Sequence, residues 1–172
     1  MADSAALDLT TGMTVEAWVY PTKRGGYRTV ALKETARGLA YGLYAGSGHA
    51  TTAREHYANA TALPLNRWSH LAVTYDGTAV RTFVDGREVH ALAQTGRLRT
   101  STHPLRFGGN AVWREWFAGR LDEVRVYDRA LTAAQLTRDM TTPIAGPTKR
   151  TAGTSRRSAK VNRYRNRGAH GG

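Results

Sequence analysis

The chain contains no cysteine. Disulfides and thiolate-held metals are thereby excluded, while the compartment stays open, because many exported bacterial domains also lack cysteine. No apolar run approaches the roughly 20 residues that a membrane-spanning helix needs. The first residues, MADSAALDLTTGMT, have neither a basic start nor a continuous apolar stretch, so they do not read as a signal peptide. Long helical periodicity is missing too, and with it the crossover helices of a parallel α/β fold. Acidic residues are absent from 142 to 172, a stretch that holds Lys149, Arg150, Arg156, Arg157, Lys160, Arg163, Arg165 and Arg167. Most of the net charge of +12 therefore belongs to this appendage and not to the body of the chain. Beyond Pro147 its only large apolar residues are Val161 and Tyr164, too few to bury a core, so 142–172 is expected to be a disordered basic tail.

What remains suits β structure. The 172 residues are 41% hydrophobic, enough for one domain over residues 1–141, and include 18 glycines and eight tyrosines. TVEAWVY (14–20) alternates as a strand does, and Pro21 ends it because proline cannot donate to the ladder. YRTVALK (27–33) and LAYGLYA (39–45) follow, with a weaker strand near 50–57 after a turn at GSGH (46–49). WSHLAVTY, Asp76-Gly77, AVRTFV, Asp85-Gly86 and REVHALA spell a three-stranded meander, since Asp-Gly favours type I′ hairpin turns. Its core face holds Leu71, Val73 and Tyr75 with either Val80, Thr82 and Val84 or Arg81 and Phe83. LRFGG (105–109) and RLDEVRVY (120–127) add two strands. Thr132 with Gln135 forms a capping-box pattern that predicts a short helix over 133–140. About eight to nine strands with one terminal helix predict an all-β fold, an antiparallel two-sheet jelly-roll sandwich.

Three blocks carry a resemblance: MTVEAWVYPT (13–22), RWSHLAVTYDGTAVRTFVDGREV (67–89) and FGGNAVWREWFAGRLDEVRVYDRALTAAQL (107–136). In this order and spacing the chain resembles the laminin-G-like (LamG) jelly roll of the concanavalin A-like lectin/glucanase superfamily, in its actinobacterial form. The resemblance implies a non-catalytic recognition module that binds carbohydrate or an extracellular protein, an accessory domain of a secreted or surface protein. It also implies one or two strands ahead of Ala2–Leu9, so the natural domain is expected to begin upstream of Met1.

Candidate sites follow from residue chemistry. Glucanases of the superfamily pair carboxylates on one strand face. Here Asp122 and Glu123 are adjacent, which points them to opposite faces, and no Glu-x-Asp-x-Glu run occurs. No catalytic residues are assigned, and a glycoside hydrolase fragment is the alternative reading. Asp122 is the candidate ligand for a structural calcium, set against a strand-end carboxylate paired with Arg120 or Arg125. The six histidines show no zinc-like spacing. Sugar recognition needs exposed aromatic platforms with amide, guanidinium or carboxylate groups beside them. Asn110, Trp113, Arg114 and Trp116 cluster after LRFGG as ligand-binding candidates, with Trp113 the platform and Trp116 weighed against core packing. Trp18 and Trp68 read as core. Tyr27, Tyr41, Tyr44 and Tyr57 either line a concave sheet face or pack within it. Nucleic-acid binding would rest on the tail's charge alone, which is unspecific.

Overall fold

The computed structural model describes residues 1–59 and 62–144. The tail expected over 142–172 lies, from residue 145 onward, outside the described residues.

The meander forms as its turns dictate. Strand β6 (Ser69–Tyr75), β7 (Ala79–Val84) and β8 (Arg87–Ala93) pair antiparallel in sequence. At the second turn Asp85 and Gly86 both take positive φ, 49° and 76°, as a type I′ turn requires. The first turn differs from the expected type. Among its residues only Gly77 has positive φ, and the Asp76 carboxylate accepts from the Thr78 and Ala79 amides at 2.8 and 2.9 Å. A side-chain acceptor therefore closes a longer loop there. Register pairs Leu71 with Val84, Val73 with Thr82 and Tyr75 with Val80, which settles which β7 residues face the core.

The N- and C-terminal strands complete the first sheet. β1 (Met13–Pro21) pairs with β6 on one side and β10 (Gly119–Tyr127) on the other, in the order β10-β1-β6-β7-β8. A bulge breaks the β1–β10 register between Glu16 and Trp18, and Glu123 opposite it has φ 50°. The second sheet holds β2 (Thr29–Glu34), β3 (Leu39–Tyr44), β4 (Ser47–Thr51), β5 (Glu55–Asn59) and β9 (Leu105–Phe107), in the order β5-β4-β3-β2-β9. Every pairing is antiparallel, and the two five-stranded sheets make the jelly-roll sandwich.

Among the described residues ten strands stand where eight to nine were expected, and the difference lies at GSGH. This segment is mostly strand β4, because Gly48 falls where the sheets approach closely. A Cβ there would sit 2.3 Å from Val73 Cγ2. Glycine is thus required by packing against the opposite sheet and not by a turn.

The core lies between the sheets. Met13, Val15, Ala17 and Val19 of β1 meet Tyr41 and Leu43 of β3 and Leu71, Val73 and Val80 of the meander, all buried. The outer face of the first sheet is covered by α1 (Ala133–Met140). Leu136 of α1 is fully buried with Leu131, Ala72 and Phe83. Its capping box is formed: Thr132 Oγ1 accepts from the Gln135 amide at 3.3 Å, and the Gln135 side chain accepts from the Thr132 amide at 2.9 Å.

Two tryptophans depart from the expected core role. Trp68 lies one residue ahead of β6, is 38% exposed, and meets Tyr20 edge-on at 5.5 Å. Trp18 is half-buried on the outward side of β1, edge-on to His70 at 5.4 Å. Alternation along β1 explains this, since Ala17 and Val19 occupy the core face.

Candidate functional site

The outward face of the second sheet carries the chemistry. In β4 the core side is taken by Gly48 and Ala50, so Ser47, His49 and Thr51 face outward. Pairing sets Asn59, Tyr57 and Glu55 of β5 opposite them in that order. The rings of His49 and Tyr57 stack at 5.4 Å and 24°. Tyr44, at the end of β3, leans on His49 with centroids 4.6 Å apart, and Tyr27 meets Tyr44 edge-on at 5.6 Å.

These rings border a cleft of about 270 Å³. Tyr27 and Tyr57 are 58% and 48% exposed, so they form its aromatic walls, while Tyr44 is buried beneath them. Trp113, 42% exposed, closes the third side from the loop after β9. Two carboxylates line the same space, and each is held in place. Glu55 Oε1 lies 2.9 Å from His49 Nδ1, and the far ring nitrogen, Nε2, lies 2.7 Å from Ser47 Oγ. Glu115 Oε2 accepts from the Tyr44 hydroxyl at 3.0 Å and from Asn110 Nδ2 at 2.8 Å. Burial, and then the charge of Glu115, raise the Tyr44 pKa far above its ordinary value, so this hydroxyl stays a donor. The arrangement sets exposed aromatic rings beside fixed polar groups in one concave space.

Of the four residues clustered by sequence, the cleft takes one. Trp113 lines it. Asn110 is fully buried, donating to Thr29 Oγ1 at 2.8 Å and to Glu115, while its Oδ1 accepts from the Trp113 amide at 2.8 Å. It braces the loop and presents nothing to solvent. Arg114 is exposed, with φ 57°, and does not line the cleft. Trp116 is 60% exposed, against the core role weighed for it, and its ring lies over Gly109, where a Cβ would be 2.1 Å from Cε3. Phe117, one residue on, packs against the core instead. Of the four tyrosines, Tyr41 packs between the sheets, its hydroxyl donating to Leu7 O at 3.1 Å, and Tyr44 is buried with Leu32 and Leu39.

Asp122 sits elsewhere, paired with Trp18 across the bulge, and its Oδ1 accepts from the Glu123 amide at 2.9 Å. It forms no ion pair with Arg120 or Arg125 among the described residues; Arg125 instead meets Glu123 at 2.7 Å and Glu16 at 3.4 Å. Among the described residues no three Asp, Glu or His side chains converge at one point. No helix among these residues is long and apolar enough to cross a membrane.

Residues 1–137 match Laminin_G_3, of the concanavalin A-like lectin/glucanases superfamily. The chain belongs to this family. A search of curated proteins found no match to this Laminin_G_3 chain. Among solved structures it is similar to domain 4 of AbnA, a GH43 extracellular arabinanase from Geobacillus stearothermophilus, in complex with arabinotriose. The identity is 21% and the TM-score 0.58, covering 78% of this chain and 68% of that one. Mouse laminin alpha1 domains LG4-5 align at 15% identity and TM-score 0.60, over 75% of this chain and 40% of that one. A heptameric SAP-like pentraxin from Limulus polyphemus aligns at 17% and 0.55, over 76% and 70%. At these identities the likeness is one of fold.

Proposed function

We propose that this Laminin_G_3 domain is a non-catalytic recognition module that binds glycan in the aromatic cleft of its second sheet, as an accessory domain of a secreted or surface protein. The observation that carries this reading is the convergence of Tyr27, Tyr57 and Trp113, all exposed, around one cleft with carboxylates at its edge. Large exposed aromatics are otherwise an unfavourable use of surface, and here three share a concave site. The arabinanase domain solved with arabinotriose shares the fold, which supports a sugar ligand. Both carboxylates in the cleft are tied to neighbouring side chains, Glu115 to Tyr44 and Asn110 and Glu55 to His49, which suits them to holding hydroxyl hydrogen bonds more than to paired acid and nucleophile roles.

Titration calorimetry on soluble polysaccharides and their oligosaccharides tests it. Tyr57→Ala and Trp113→Ala should each weaken binding by about tenfold or more, as loss of an aromatic anchor does. Arg114→Ala, beside the cleft but outside it, should leave affinity unchanged. Equal binding by all four proteins would overturn the reading. Hydrolysis of a bound oligosaccharide that Glu115→Gln abolishes would make the domain an enzyme.

A further inference from the structure

The aromatic cleft does not end at Glu55. Cavities of about 320, 270 and 420 Å³ follow one another along β4, bordered in turn by Ser47, His49 and Thr51. Four residues of strand span roughly 13 Å, so the row is long enough for an extended ligand and not a single ring. The last cavity differs in chemistry from the middle one. It shares Glu55 with it, but its other charged groups are Arg37, Arg54 and Arg99, all exposed, which make no ion pair among the described residues.

These arginines arrive from three separate loops, and backbone bonds hold each loop to the same strand ends. The Thr35 amide donates to Gly38 O at 2.9 Å around Arg37, the Thr52 amide to Arg54 O at 3.0 Å, and the Arg99 amide to Thr51 O at 2.7 Å. Gathering like charges without counter-ions costs stability through mutual repulsion. A second observation points the same way. Thr51 borders this cavity, is only 4% exposed, and its hydroxyl has no hydrogen-bond partner among the described residues. A buried hydroxyl without a partner is uncommon. Guanidinium groups grip carboxylate and sulfate oxygens in pairs, which a hydroxyl cannot match.

We infer that the Arg37–Arg54–Arg99 cleft is a subsite for an anionic substituent, so that the groove takes an oligosaccharide with neutral rings on the aromatics and a carboxylate or sulfate at the arginine end. Glu55 does not oppose this, because its Oε1 is turned to His49 and three arginines line the cavity against one carboxylate. The inference rests on the glycan reading of the cleft and names the ligand class within it.

A glycan array of matched neutral, uronic and sulfated oligosaccharides, probed with the full chain, tests it. Three proteins are compared: the native chain, the Arg37→Ala/Arg54→Ala/Arg99→Ala variant, and Tyr57→Ala. The native chain should hold one acidic class about tenfold more tightly than its neutral match. The triple variant should lose that advantage and keep neutral binding within twofold, which also reports its folding. Tyr57→Ala should weaken both. An acidic advantage that survives in the triple variant overturns the subsite. Neutral binding with no acidic advantage overturns the subsite and leaves the glycan reading standing. Failure of the native chain to bind any glycan overturns both.

Discussion

Gly48→Ala is expected to lower stability by about 3 kcal/mol, the upper range for overpacking a well-filled core. The added methyl would lie 2.3 Å from Val73 Cγ2, 2.4 Å from Val73 Cβ and 2.9 Å from Thr82 Oγ1. Neither neighbour has room to retreat. Val73 and Thr82 are fully buried and paired across β6 and β7. Thr82 is further held, donating to Ala58 O at 2.6 Å while its oxygen accepts from the Gly48 amide at 3.2 Å. The relief must therefore come from β4 moving outward. Ser47 and His49 flank Gly48 and face the groove, so the same movement displaces the ring that stacks on Tyr57. Thermal unfolding should show a fall in Tm of about 10 °C, taking the relation for a domain of this size. Adding Val73→Ala should recover part of the loss, a coupling that distant sites would not show. A Gly48→Ala protein that melts with the native one would mean that the sheets are not packed as closely here as described.

Gly48 also shows why the sequence is only partly legible. The meander was readable because each Asp-Gly pair is a local signal, and the helix because Thr132 and Gln135 are three residues apart. The family could be read from three ordered blocks, and the match over residues 1–137 bears it out. The segment around Gly48 was not readable, because glycine marks both turns and tight sheet contacts, and only the opposite sheet distinguishes them. Misplacing this hairpin hid the site. His49, Glu55 and Tyr57 become neighbours only through the β4–β5 register, in which His49 pairs with Tyr57 and Thr51 with Glu55. The cluster Asn110 to Trp116 looked like a site because its residues are near in sequence. Which of them reach solvent depends on the bridge between Gly109 and Trp116, a contact with no signature of its own. Glu115, passed over, lies between two residues that were considered, and its role comes from Tyr44, far off in the chain. The three arginines at 37, 54 and 99 share no local pattern at all.

Glu16→Gln is expected to convert a nearly flat pH-stability profile into a sloping one. Glu16 and His70 are both fully buried under the C-terminal helix, on the outward face of the first sheet, with Glu16 Oε2 and His70 Nε2 3.6 Å apart. That is outside hydrogen-bonding reach, and among the described residues neither atom has another hydrogen-bond partner. Burial first, and then the charge of Asp139, push Glu16 up to about 7, with Arg125 opposing. Burial first, and then Arg125, push His70 down to about 4. The two shifts act in opposite senses. Between the ordinary carboxylate value of 4.5 and about 7, folded Glu16 keeps a proton that the unfolded chain has released, so stability falls as pH rises. Between about 4 and the ordinary imidazole value of 6.5, the unfolded chain binds a proton on His70 that the folded protein excludes, so stability rises with pH. Each contribution amounts to about 3 kcal/mol across its window, and they offset one another where the windows overlap. Removing the carboxylate leaves the histidine alone. Glu16→Gln should gain stability relative to the native protein as pH goes from 4.5 to 7, and His70→Gln should lose it over the same range. Denaturant unfolding of the three proteins at intervals across pH 4 to 8 reads both slopes. Parallel profiles for all three would mean that neither group changes its proton affinity on folding, and that the cluster under the helix is solvated.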